Sequence, residues 1–152
     1  MSIYEEKRNE SKLEVTTYLH RLQYALQSGK AKINFQKNRI VDEKRDEKHT
    51  NKYTMLSLFP HEDEVEILKR ELANLRCRDC IETVKDTRYP DRKDMRVFGK
   101  KYSNEDVYII IRVELINVTG IGGDNFIFVM SFHFAENTFA ESDFPYRKNG
   151  GE

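Results

Sequence analysis

Three stretches of alternating apolar residues in the second half of the chain restrict its fold more than any other feature: MRVFGKKY from Met95 to Tyr102, VYIIIRVELINV over 107–118, and NFIFVMSFHF from Asn125 to Phe134. Side chains along a strand point alternately to its two faces, so each stretch predicts a strand with one buried face. In the second stretch Ile109, Ile111, Val113 and Leu115 take the core side, and Tyr108, Ile110, Arg112 and Glu114 the other. In the third, strict alternation sets Phe126, Phe128, Met130, Phe132 and Phe134 against Ile127, Val129, Ser131 and His133, and so predicts a buried aromatic row. Turn-forming residues at 103–106 and the glycine-rich run 119–124 separate the strands, which gives an antiparallel meander.

Helical spacing precedes the sheet. Val15, Tyr18, Leu19, Leu22, Ala25 and Leu26 recur on one helical face, Ser11 and Glu14 fit a capping box, and Gly29 fits the stop. A second helix is predicted over 62–76 through Val65, Leu68, Leu72 and Leu75, with Pro60 ahead of it and Glu62, Asp63 and Glu64 in its first turn. Between them, Tyr53, Leu56 and Leu58 suggest only a short apolar turn, and the mixed-sign run 42–48 reads as a solvated loop. Residues 77–94 read as a loop leading into the sheet. With no repeat or linker, the expectation is one α+β domain over 1–152, its two N-terminal helices packed on a three-stranded or slightly larger antiparallel sheet. The segments 1–10 and 147–152 are expected to be flexible tails.

Composition removes several classes of function. The 26 basic and 26 acidic residues cancel, so no global field gathers nucleic acid and any phosphate contact must be local. No apolar run has the length of a membrane span, and the first residues lack an apolar signal segment, which makes the cytoplasm the expected location. Cys77 and Cys80 form the only cysteine pair, and His20, His49, His61 and His133 supply no second pair at ligand spacing. Neither a structural zinc site nor any cofactor is expected. The pair follows a helix rather than joining a strand to one, so two reduced thiols are expected instead of a redox centre. The glycine run 119–124 lacks the lysine and following helix of a phosphate loop, and the acceptor-like triplet 117–119 carries no meaning without a secretory signal.

One chemistry fits the sheet. Cleaving RNA without a metal needs a base for the 2′-hydroxyl, an acid for the departing 5′-oxygen, and cations for the charge that grows on phosphate. His133 is the only histidine on a predicted strand, and an imidazole takes or gives a proton near neutral pH. Tyr108 suits a phosphate contact or a proton donor. Arg96, Lys100 and Arg112 suit charge stabilisation, and Arg92, Lys93 and Lys101 add local attraction. The rival assignment makes His133 a hydrogen-bonded strand-end residue, Tyr108 a surface aromatic and the cations solubilising groups. The protein is then a non-catalytic interaction module, of the kind phages and mobile elements encode.

The segment 75–134 carries LRCRD, MRVFGK, DVYIII and VMSFHFAE, and with Phe98-Gly99-Lys100, Val107-Tyr108 and the stretch 131–136 it resembles the MqsR toxins of type II toxin–antitoxin systems. The resemblance implies a RelE-like mRNA interferase fold and a metal-independent endoribonuclease that arrests translation and growth. It places Tyr108 and His133 at family positions of the catalytic surface. It also implies a cognate antitoxin as partner, often with a zinc-binding segment and a helix-turn-helix domain, and mRNA as substrate, with no membrane contact and no DNA binding by the toxin alone. The chain departs from the family pattern at Glu82 and Met95, where relatives carry lysine and glutamine, and at Ile110, often lysine. A degenerate relative that keeps the fold for complex formation lies between toxin and module.

Overall fold

The computed structural model of the protein describes residues 4–29, 31–38, 46–115 and 125–147. It is α+β, as expected, but with a larger sheet and one more helix. In chain order the elements are β1 (Glu5–Arg8), α1 (Lys12–Gln27), β2 (Ala31–Phe35), α2 (Asn51–Leu58), α3 (Glu64–Ala73), β3 (Cys80–Asp86), β4 (Met95–Tyr102), β5 (Glu105–Leu115) and β6 (Asn125–Phe134). The predicted meander is β4–β5–β6, and it forms the middle of a six-stranded mixed sheet ordered β1-β3-β4-β5-β6-β2. All neighbours are antiparallel except β2, which runs parallel to β6. Ser103 and Asn104, with φ of 53° and 69°, make the two-residue turn between β4 and β5 that matches the strands' twist. The glycine run 119–124 and most of the charge run 42–48 lie outside the described residues.

Each helix starts as its sequence dictates. Ser11 accepts from the Glu14 N–H while Glu14 accepts from the Ser11 N–H, completing the predicted capping box of α1. Asp63 caps α3 by accepting from the Glu66 N–H, and Thr50 caps α2 through the Tyr53 N–H. Val15, Leu19 and Leu22 of α1 join Ile67, Leu68 and Leu72 of α3 over Phe98, Ile109, Ile111, Ile127, Val129 and Phe132. All of these sheet residues lie on one face, and burying each contributes about 1.5–3 kcal/mol relative to exposure. The opposite face carries no α-helix among the described residues, and a single 3-10 turn at Glu141–Asp143 lies over one end of it.

The predicted buried aromatic row is interrupted. In the β5–β6 register Ile110 faces Ser131 but Ile111 faces Val129, so Met130 is an extra residue in a β-bulge. The bulge reverses the alternation. Ile127, Val129, Phe132 and Phe134 all reach the core, while Phe126 and Phe128 sit half-buried on the open face with Ser131 and His133. Asn51, fully buried on α2, braces this point: its Nδ2 donates to the Gln36 and Met130 carbonyls at 2.8 and 3.1 Å, and its Oδ1 accepts the Phe132 N–H at 2.9 Å. Thr54 Oγ1 accepts the Phe134 N–H at 2.9 Å. Beyond the end of β2, α2 thus supplies the partners that a neighbouring strand would give β6.

Two further expectations change. The N-terminal tail is not free from residue 5 onward, because β1 pairs with β3 in the register Glu5↔Asp86 to Arg8↔Thr83. The stretch 77–94 is not all loop, since it holds β3. At the other end Arg147 reaches Asp79 at 3.9 Å and Glu141 at 3.5 Å, and 148–152 lie outside the described residues. Cys77 and Cys80 are buried free thiols. Burial, followed by the neighbouring Cys77, pushes the Cys80 thiol up to about 12. With both thiols buried, native protein at pH 8 is expected to resist iodoacetamide at both cysteines, and urea to expose them. The raised value also removes stability as pH climbs from the thiol's ordinary 9 towards 12. A urea midpoint that stays level across that window would contradict the assignment. Among the described residues no helix is long and apolar enough to cross a membrane.

Candidate functional site

Adjacent strands bring together the tyrosine and histidine picked out by alternation. Tyr108 of β5 faces His133 of β6 directly, with ring centroids 6.0 Å apart, on the face without helices. Alternation from Phe132 and Phe134 in the core sends His133 to the face of Tyr108, and the bulge at Met130, three residues earlier, is what lets Ile127 and Val129 join those phenylalanines on the core side. His133 Nδ1 lies 3.0 Å from the Phe134 carbonyl oxygen. A carbonyl only accepts, so Nδ1 is the nitrogen placed to donate to it. The imidazole is only 5 % exposed, whereas Tyr108 is half-buried.

Register also gathers the positions at which the chain departs from the MqsR pattern. Glu82 pairs with Val97, Val97 with Ile110, and Ile110 with Ser131, which puts Glu82 and Ile110 on the face of Tyr108 and His133. Met95, two residues from Val97 along β4, joins them. A shallow hollow of about 240 Å³ is lined by Glu82, Met95, Tyr108 and Ile110, together with Lys7 of β1. Lys7 Nζ lies 3.4 Å from Glu82, so a cation stands beside that carboxylate. Sequence reading missed Lys7 because EEKR has no apolar alternation and signals no strand.

The predicted cations divide between the two faces. Arg112 is on the open face, its guanidinium 4.7 Å from the Phe128 ring centre and its Nε 2.9 Å from Glu114. It lies four residues from Tyr108, about 13 Å along the strand, too far to share one phosphate with it. Arg96 and Lys100 pair with Ile111 and Val107, which are core residues, and so lie on the helix side. Arg96 donates to both oxygens of the buried Glu10 at 3.1 and 2.9 Å and stacks on Tyr18 at 4.1 Å. Lys100 lines a hollow with Asp79 and Arg147. Neither reaches the Tyr108–His133 face. Lys101 is held by Asp106 at 2.9 Å.

A C-terminal cover closes one end of that face. After β6 the chain turns back, held by the Ala135 N–H on the Asp106 carbonyl and the Phe139 N–H on the Asp106 carboxylate at 2.8 and 2.9 Å. Phe139 lies edge-on to Tyr108 at 4.8 Å and rests on Gly99, where a β-carbon would come within 2.6 Å of its ring. Only glycine admits that approach. Burial first, then the carboxylates of Asp143, Glu82 and Glu136, hold the Tyr108 hydroxyl above its ordinary value, so it is a neutral phenol and a proton donor.

The other end of the face is cationic. Arg88, Arg92, Lys93 and Arg112 line a hollow of about 260 Å³ that shares Glu5, Met95 and Met130 with the first. Among the described residues no group of three His, Cys, Asp or Glu side chains is placed to hold a metal ion. Comparison of the chain with protein-family models, with curated proteins and with solved structures finds no match.

Proposed function

We propose that the protein is the toxin of a type II toxin–antitoxin pair, a metal-independent mRNA endoribonuclease of the MqsR or RelE-like kind, acting in the cytoplasm and held in check by a cognate antitoxin. One observation carries the reading: Tyr108 and His133, and with them Glu82, Met95 and Ile110, fall on one sheet face with no α-helix over it among the described residues. The resemblance had singled out all five from sequence alone.

In the proposed step the His133 imidazole takes the proton of a 2′-hydroxyl. That oxygen attacks the adjacent phosphorus, the P–O5′ bond breaks, and the Tyr108 phenol gives its proton to the departing 5′-oxygen. A 2′,3′-cyclic phosphate and a 5′-hydroxyl result. The geometry gives Arg96 and Lys100 no part in this, and Arg112 acts on a neighbouring phosphate. The imidazole, only 5 % exposed, must open to the substrate as it binds.

A second reading, a non-catalytic interaction module, is favoured by the low exposure of His133 and by the carboxylates around Tyr108. Incubating purified protein with single-stranded RNA in EDTA separates the two. The nuclease leaves cyclic-phosphate ends. RNA that stays intact with and without chelator, together with unimpaired growth of cells expressing the chain, would leave the module.

A further inference from the structure

We infer that the β3–β4 loop, residues 87–94, is the docking platform for the RNA strand, with Arg92 and Lys93 each on a backbone phosphate and a base stacked against the Tyr89–Arg92 pair. The inference rests on the nuclease reading and adds where the substrate is held. At the Tyr108 end the carboxylates of Asp143, Glu82 and Glu136 act on the phenol and the nearby Lys7 is paired with Glu82, so that end offers a phosphate little unpaired positive charge. The loop end supplies it.

Tyr89 is 44 % exposed, and the Arg92 guanidinium lies 4.0 Å from its ring centre. Such a stack presents a flat cationic surface on which a nucleobase of any sequence can lie. Arg88 is committed to Asp86 through two hydrogen bonds of 3.0 and 2.9 Å. Arg92 and Lys93, in contrast, form no side-chain ion pair among the described residues. From them the groove runs past Met95 and Met130 to Tyr108 without leaving the open face. An unpaired strand fits this platform better than a duplex, because its bases are free to stack. With a net charge of zero, the chain must gather phosphate through such a local pair.

The test uses a short, fluorescein-labelled, 2′-O-methylated single strand, which binds but cannot be cut, followed by anisotropy. The double variant Arg92→Glu/Lys93→Glu is expected to bind at least tenfold more weakly at low salt. Arg92→Gln/Lys93→Gln should flatten the dependence of log affinity on log salt by about 1.4, the share of two phosphate contacts on a single strand. Tyr89→Ala should weaken binding about tenfold with little change in that slope. All three changes are in an exposed loop, and an unchanged thermal midpoint confirms folding. Equal affinity in parent and folded charge-reversed protein overturns the platform, and so does a parent that binds no RNA. Cleavage of unmodified RNA, assayed in parallel, shows separately whether the nuclease reading survives.

Discussion

Asn51→Ala is expected to lower the unfolding free energy by about 3–5 kcal/mol, read from urea denaturation. Three backbone groups depend on that one amide: the Gln36 and Met130 carbonyls and the Phe132 N–H. Asn51 is fully buried, so no water replaces it, and each orphaned group costs about 1–3 kcal/mol. The carbonyls lie at the low end, having a second lone pair, and the N–H at the high end. Thr54→Val removes the acceptor of the Phe134 N–H and a donor to the Thr50 carbonyl, which keeps the Thr54 N–H, and should cost about 1–3 kcal/mol. A loss below 1 kcal/mol in Asn51→Ala would mean that the bulge holds itself.

How much was legible follows from what each signal measures. Capping residues act through bonds three residues apart, so Ser11 and Glu14 fixed the start of α1 without knowledge of the rest. Alternation reports burial on one face, so it located β4, β5 and β6, which pack against the helices. It gave no strand at β1, whose EEKR buries no side chain, or at β2, whose five residues carry too short a pattern and whose parallel partner β6 lies about ninety residues away. Within β6 a single inserted residue inverted the pattern, and strict alternation buried Phe126 and Phe128 in place of Ile127 and Val129. No local signal marks that bulge. What fixes it is Asn51 from α2, a segment whose stripe was too short to read as a helix.

The site was half legible for a related reason. Tyr108 and His133 were found because each departs from the apolar content of its strand, and register then set them side by side. Arg96 and Lys100 were grouped with them by charge, although both share parity with Phe98, which is fully buried. A core Phe98 sends its i±2 neighbours to the helix side. There Arg96 neutralises Glu10, whose Oε1 also accepts from Thr83 Oγ1 at 2.8 Å, and whose backbone carbonyl accepts from the Tyr146 hydroxyl. Charge told what these residues were, and parity told where they were.

His133→Gln and Tyr108→Phe should each reduce RNA cleavage by about 10²–10⁴-fold, the range of a single general acid or base, and each should relieve growth arrest on induced expression. Both substitutions keep approximate side-chain volume, so a collapse of the fold would not imitate the result. Tyr108→Phe is the cleaner of the two, since it removes one oxygen and leaves the ring against Phe139 and the half-buried face. Its melting curve should match the parent's. The raised Tyr108 value fixes the sign of the pH test: burial and nearby carboxylates disfavour the phenolate, so the donor stays protonated up to and beyond the ordinary 10. Ionisation of this tyrosine therefore cannot lower the rate below that pH. A falling alkaline limb centred well below 10 that disappears in Tyr108→Phe would contradict its role as acid. Folded variants that cleave and arrest growth like the parent would remove both residues from the chemistry, and with them the reason to read this sheet face as a nuclease.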